Sequence, residues 1–336
     1  MPLEWCISND IERAFLKTNS DTRISLLMTG APDFNQQTRD IALTSDQWRV
    51  DVLDFSKVRF KPWGIPVFIR SLLRSRLWYQ CGGIDSWKEE FLCRVGLILG
   101  VPQVVHWIGT DVLSVKTYLR RRPQFLNIAS RVFHWATAPW LVEELGQLGI
   151  RAKFVPFTGL RRKEYLSVVP PELPEHFTIL TSIRQERFDL YGWPHIKKLA
   201  QDFPDVTINV LRATKVPDGQ KPANVKFLGW VENPFEAYKN STVVVRMTEH
   251  DGYSGGIQEP LALGRYAIWT YPLPNVLTAR DYPMLHGHIA NLLHLHRKGL
   301  LKLNEPGREF VRQNLNPDVV ARNIGRELSE CARSYG

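Results

Sequence analysis

The chain has 336 residues, enough for two medium-sized cores at roughly 150 residues per domain. Its 44% apolar and 23% charged residues are the balance of a folded globular protein and exclude a disordered or fibrous chain. The formal charge of +9 calls for an anionic partner, and charge alone does not choose among nucleic acid, a phospholipid surface and a phosphorylated substrate.

Met1-Pro2-Leu3-Glu4-Trp5 carries an early acid and no basic start leading into an apolar run, so no secretory signal is expected and a cytosolic location is. The longest apolar stretch, 95–108, is interrupted by Gly100, Pro102, Gln103 and His106. It falls short of the ~20 residues that a spanning helix needs. Cys6, Cys81, Cys93 and Cys331 are scattered without a C-x-x-C pair, which argues against a zinc knuckle or disulfide framework and for free thiols.

Short β-branched runs alternate with helical patterns, the signature of βα units around parallel sheets. Strands are predicted at 24–28, 49–53, 77–81, 103–107, 132–136 and 152–156, forming a first Rossmann-like domain over 1–160. Segment 161–174, with Pro170, Pro171 and Pro174, reads as a stiff linker. A second doubly wound domain is expected over 161–315, with strands at 178–182, 207–211, 225–228, 242–246 and 266–269 and helices at 193–202 and 234–239. The tail 316–336 carries Val319, Val320, Ile324 and Leu328 on one helical face and is expected to pack back towards the first domain.

The segment from Asp251 to Gly264 carries the most chemistry. It follows a strand and runs Asp251-Gly252-Tyr253-Ser254-Gly255-Gly256-Ile257-Gln258-Glu259-Pro260-Leu261-Ala262-Leu263-Gly264. Small residues let a ligand approach the backbone, and a helix starting there offers unpaired N–H groups and a positive dipole end to a diphosphate. Asp251 stands before the loop and Glu259 eight residues later on the helix, so one acid can face a sugar and the other a ribose.

This segment resembles the E-x7-E donor motif of retaining glycosyltransferases of the family 4 type, in the context Phe227-Leu228-Gly229-Trp230 and Glu259-Pro260-Leu261-Ala262-Leu263-Gly264. The resemblance implies the GT-B fold, two Rossmann-like domains facing each other across a cleft. It places Asp251, in the position of a usual glutamate, beside the transferred sugar. Glu259 then holds the ribose hydroxyls, and Tyr253, Ser254, Gly255, Gly256 and Ile257 line the donor loop. Upstream, Thr181-Ser182-Ile183-Arg184-Gln185-Glu186-Arg187 occupies the place where related enzymes set a basic residue against the diphosphate, leaving Arg184 and Arg187 as candidates.

In the first half, His106 closes a strand in Val104-Val105-His106-Trp107-Ile108-Gly109-Thr110-Asp111, at the carboxyl end where open α/β sheets bind ligands. It resembles the histidine that family members place beside the donor sugar, with Thr110 or Asp111 capping the next helix. Gly30, in Thr29-Gly30-Ala31-Pro32, resembles the loop facing the donor across the cleft. Lys57, Arg59, Lys61, Arg70, Arg74 and Arg76 lie in a stretch without acids, where Phe68, Ile69, Leu72 and Leu73 oppose Arg70 and Arg74 on a basic amphipathic helix. Related enzymes acting on lipids or lipid-linked intermediates use such helices on anionic membranes, and an ordinary sheet-covering helix is the alternative. A further basic cluster, Lys116 with Arg120, Arg121 and Arg122, could enlarge the same surface.

His286, His288, His294 and His296 form two close pairs that invite a zinc reading only if they converge, and no Asp-x-Asp manganese motif is present. The nucleotide is therefore expected to be held without metal or other cofactor. The activity implied is retaining transfer of a sugar from a nucleoside diphosphate sugar to a hydroxyl of a glycan or lipid-linked acceptor, by a cytoplasmic protein in peripheral contact with the membrane. The alternatives are a nucleotide-sugar epimerase on the same fold and a basic nucleic-acid-binding protein. Against the latter, the eleven tryptophans are not interleaved with the basic clusters.

Overall fold

A computed structural model describes residues 24–30, 48–53, 64–157, 160, 164–216 and 221–334. Lys57, Arg59, Lys61, Ala31, Pro32 and Cys6 lie outside the described residues. Two six-stranded parallel sheets are built, each from βα units. The first contains β1 (Ile24–Gly30), β2 (Trp48–Val52), β3 (Leu77–Cys81), β4 (Gln103–Trp107), β5 (Phe133–Ala136) and β6 (Ala152–Phe154), in the order β2-β1-β3-β4-β5-β6. Its helices are α1 (Gly64–Leu73), α2 (Trp87–Ile98), α3 (Asp111–Arg121), α4 (Leu126–Ala129) and α5 (Pro139–Gln147).

The second sheet contains β7 (Thr178–Ser182), β8 (Thr207–Leu211), β9 (Val225–Gly229), β10 (Val243–Arg246), β11 (Tyr266–Trp269) and β12 (Leu277–Thr278), ordered β12-β11-β10-β7-β8-β9. Its helices are α6 (Glu164–Ser167), α7 (Trp193–Asp202), α8 (Phe235–Lys239), α9 (Gly255–Ala262), α10 (Tyr282–Arg297) and α11 (Glu305–Asn314). The chain reverses its direction of growth between β1 and β3 in one sheet and between β7 and β10 in the other. Those reversals open crevices at the carboxyl ends of the strands.

Parallel strands covered on both faces read as unbroken apolar runs, and the buried Val243-Val244-Val245 of β10 is such a run. One face of the first sheet packs Leu27, Trp78, Val105, Trp107 and Ala136 with residues of α1, α2 and α5. The other face packs Leu26, Tyr79, Val104 and Trp135 against Val320, Ala321, Ile324 and Leu328 of α12 (Pro317–Arg333). The C-terminal helix thus covers the first sheet after the chain has completed the second. Lys153 of β6 pairs with Glu327 at its margin.

The proline-rich segment before β7 differs from a solvated linker. Leu160 and Tyr165 are buried in the core of the second sheet, and the Tyr165 ring meets Phe235 and Tyr238 at 5.4 and 6.3 Å. Two large apolar side chains ahead of the prolines find more stabilisation in that core than in water, on the order of 2 kcal/mol each.

Candidate functional site

A cavity of about 310 Å³ opens between the two sheets, within the range of small-ligand sites. Each strand near it contributes the residue at or just past its carboxyl end: Ile108 after β4, Thr137 after β5, Phe157 after β6, Ser182 of β7, Arg212 after β8 and Arg246 of β10. The wall opposite the first sheet is the segment Asp251 to Gly256 followed by Glu259. Three guanidinium groups, from Arg184, Arg212 and Arg246, meet two carboxylates there.

The loop before α9 is held from both domains. Gly252 passes so close to Ile108 that a Cβ on it would lie 1.8 Å from the Ile108 carbonyl oxygen. The facing first-domain loop at Ile108 and Gly109 is held in shape by the half-buried Asp111 carboxylate, which accepts N–H bonds from Gly83, Ile108 and Gly109 at 2.8, 3.0 and 2.7 Å. Thr110 sits at the helix N-cap position without a side-chain cap bond, so Asp111 does the capping. Trp140 of α5 donates its indole N–H to the Asp251 carbonyl at 2.8 Å and stacks on Tyr271 at 4.4 Å. His250 and Glu144 meet across the same boundary at 2.8 Å.

Gly255 and Gly256 open α9, where the first N–H groups of a helix have no intrahelical acceptor. Ser254 stands at the N-cap without spending its hydroxyl on the cap. A Cβ on Gly256 would make only ordinary contacts, 3.6 Å from Ser254 Oγ and 3.9 Å from Tyr238 Oη, so the room beside it lies in the cavity. Glu259 is one turn further on, 4% exposed and hydrogen bonded to Tyr238. Burial first, then the Glu259 charge, pushes the Tyr238 hydroxyl well up, so it stays a neutral donor.

Asp251 lines the cavity, but its carboxylate is occupied. It accepts from Arg246 through Nε and, at 3.0 Å, through Nη2, from the Thr248 hydroxyl at 3.3 Å and from the Gly252 N–H at 3.1 Å. The Arg246 guanidinium lies 5.3 Å from the centre of the Tyr191 ring. Burial disfavours its charge, and Asp251 outweighs that and raises its pKa. Arg212 adopts φ 71°, uncommon for a residue with a Cβ, and rests 5.3 Å over the Trp230 ring, which is 67% exposed beside the cavity.

Four sequence-predicted site residues are placed elsewhere. His106 is fully buried on the α12 face of the first sheet, ringed by Tyr79, Trp135 and Phe157, with Phe157 between it and the cavity. Its Nε2–H donates to the Val155 carbonyl at 2.9 Å, so its Nδ1 accepts from the Tyr79 hydroxyl at 2.8 Å. Both nitrogens are satisfied by the core, and burial pulls its pKa down to about 4. Gly30 serves packing against β3: at φ 105° it brings the position of a Cβ within 1.9 Å of the Cys81 carbonyl oxygen. Ile257 points into the core, and its N–H is spent on the Ser254 carbonyl at 3.2 Å. Arg187 closes a turn on the Arg184 carbonyl with its side chain exposed away from the cavity wall, whereas Arg184 lines it.

Arg70, Arg74 and Arg76 are exposed at and just after α1, far in sequence from the donor loop. All four histidines of the zinc expectation belong to α10, where His288 and His296 bond the Thr278 and Pro174 carbonyls. Among the described residues no group of three or more metal-ligating side chains gathers. Arg246 and Arg212 have no site role in the sequence reading, and Trp230 enters it only as context of the donor motif. For Arg246 the signal was available, a cation closing a Val-Val-Val strand, and it is the same signal that had favoured His106.

No protein-family model matches the chain, and no curated protein does. Solved structures do. HepE of Anabaena, solved with UDP and glucose, matches with a TM-score of 0.65 at 16% identity, over 91% of this chain and 99% of that one. Sucrose-phosphate synthase of Thermosynechococcus elongatus gives 0.67 at 14% identity, over 93% and 100%. A glycosyltransferase of Rickettsia africae gives 0.64 at 11%, over 92% and 98%. This is the GT-B fold. The cavity described above is therefore the interdomain cleft of a GT-B architecture, with the Asp251–Glu259 segment on its C-terminal wall.

Proposed function

We propose that the chain is a metal-independent, retaining glycosyltransferase of the family 4 type that takes its sugar from a nucleoside diphosphate donor. The observation that carries this is the opening of α9 into the cleft. There, two glycines expose helix-start amides beside Arg184 and Arg246, and the buried carboxylate of Glu259 stands one turn behind them. Such an arrangement suits a diphosphate at the amides and a ribose diol at the carboxylate. The UDP and glucose bound to HepE support a donor of this class.

In the transfer, the bond from the anomeric carbon to the leaving β-phosphate oxygen breaks and a bond to the acceptor oxygen forms on the same face. The acceptor proton passes to the departing phosphate, so no dedicated protein base is required. Amides at Gly255 and Gly256 and the Arg184 guanidinium stabilise the charge developing on the leaving group. Closure of the two domains on the donor would expel water that hydrolyses the sugar nucleotide.

The acceptor belongs, in this proposal, to the lipid-linked or cell-surface glycan precursors. Support comes from the first domain, where exposed Ile65, Val67 and Leu73 of α1 and Trp87 and Phe91 of α2 accompany Arg70, Arg74 and Arg76, a composition suited to an anionic membrane surface. No described helix is long and apolar enough to cross a membrane.

The test is turnover with a panel of UDP-, GDP- and ADP-sugars. Acceptor-dependent release of a nucleoside diphosphate is expected from one of them. Conversion of the donor sugar to its epimer with no acceptor added would replace the transferase with an epimerase.

A further inference from the structure

The Asp251 carboxylate has two oxygens and roughly four acceptor positions. All four are taken, two by Arg246 and one each by Thr248 and Gly252. A sugar hydroxyl approaching Asp251 would have to displace one of these bonds, two of which are charge-assisted and held in a site where the side chains are only 13–15% exposed.

The guanidinium is differently placed. Its Nε and Nη2 edge is committed to Asp251, while Nη1 takes no part in that pair. Nη1 lies 4.0 Å from the position a Cβ on Gly256 would occupy, at the mouth of α9 where the helix-start amides converge. The Tyr191 ring, 5.3 Å from the guanidinium carbon, supports the group from one side. The cleft wall itself includes Arg246, Gly255, Gly256 and Arg184.

Resting on the donor reading above, we propose that Arg246 supplies a second cation, beside Arg184, that meets the donor's terminal phosphate at the opening of α9, and that Asp251 is a positioning residue that holds this guanidinium edge-on. The eight-residue spacing of the two acids then has a different meaning from paired ligand contacts. Glu259 faces the ligand, and Asp251 faces Arg246. Aspartate fits this task because both its oxygens meet Arg246, the last residue of β10.

The test measures binding of inorganic pyrophosphate, UMP and UDP, or the corresponding pair of whichever base the protein takes, by calorimetry on the full chain. Arg246→Met is expected to weaken pyrophosphate and the nucleoside diphosphate tenfold or more while changing the monophosphate less than threefold. Asp251→Asn should give a smaller loss in the same selective pattern, and Arg246→Met with Asp251→Asn should be no worse than Arg246→Met alone, since the two act as one unit. Arg246→Lys keeps the charge and should recover part of the diphosphate affinity. The double variant also guards against misfolding, because it leaves no unpaired buried charge, and thermal midpoints are compared for all four.

Equal weakening of mono- and diphosphate in Arg246→Met would show a purely structural role and overturn the proposal. So would an altered sugar preference in Asp251→Asn with pyrophosphate binding unchanged. Pyrophosphate binding that depends on Arg246 in a protein that takes no nucleoside diphosphate would leave Arg246 in its role and remove the glycosyltransferase reading. Wild-type protein that binds neither ligand would remove both.

Discussion

At the scale of single residues, Gly256 separates folding from binding. A methyl group there meets nothing nearer than 3.6 Å, and alanine is the better helix former by up to about 1 kcal/mol. Gly256→Ala is therefore expected to melt at or above the wild-type temperature while losing at least tenfold in donor affinity, because the methyl occupies the space where a phosphate would approach the amides. Calorimetry and a thermal melt on the same sample check this. A variant that binds as well as wild type would mean that the ligand does not approach that turn. His106 and Arg246 show what was legible at this scale. Arg246 closes buried β10 and His106 is the last residue but one of buried β4, so both satisfy the rule that ligands sit at carboxyl ends. Sequence does not say to which sheet face a side chain turns when both faces are covered. His106 turned towards α12 and the core, and Arg246 turned into the cleft.

At the scale of elements, the strands were readable to within a residue or two, because β-branched runs such as Val243-Val244-Val245 have no helical period and are bounded by turn residues. The two-residue β12 carries no such run, and the packed Tyr165 is hidden behind the charged run Arg161-Arg162-Lys163-Glu164. The contacts of α5 with the donor loop were also out of reach, since they join residues more than 100 positions apart. Trp140 is the centre of those contacts, so Trp140→Ala should destabilise the protein by about 2–4 kcal/mol and loosen the loop it holds. Urea unfolding measures the first effect. The second predicts a fall in kcat that exceeds any rise in KM, and unchanged kinetics would show that the clamp does not matter to turnover. On α1, Arg70→Glu with Arg74→Glu reverses the charge of the surface proposed for the membrane. Loss of sedimentation with anionic vesicles, and none with neutral ones, is the expected result; equal sedimentation of wild type and variant would remove the membrane contact.

At the scale of the whole molecule, two buried histidines set an acid limit. Burial pulls both His106 and His134 from 6.5 down to about 4, and in each the Nδ1 accepts a hydrogen bond that protonation would break. Between these values the unfolded chain binds protons that the folded chain refuses. Stability from this source is intact above pH 6.5 and is lost as pH falls towards 4, on the order of 3 kcal/mol per histidine at the acid end. Melting from pH 7.5 to 5 should show that fall, and a chain with both histidines replaced by glutamine should show a shallower one. The cleft between the domains bears the central claim, and Glu259 is the residue in it to which the nucleoside is assigned. Titration of wild type and Glu259→Ala with the preferred nucleoside diphosphate sugar tests it most directly. The expected result is binding by wild type and a loss of tenfold to a hundredfold in the variant, the value of a charge-assisted ribose contact, with the fold retained as read by circular dichroism. Equal affinity in the two proteins, or no binding of any nucleoside diphosphate sugar by wild type, would contradict it.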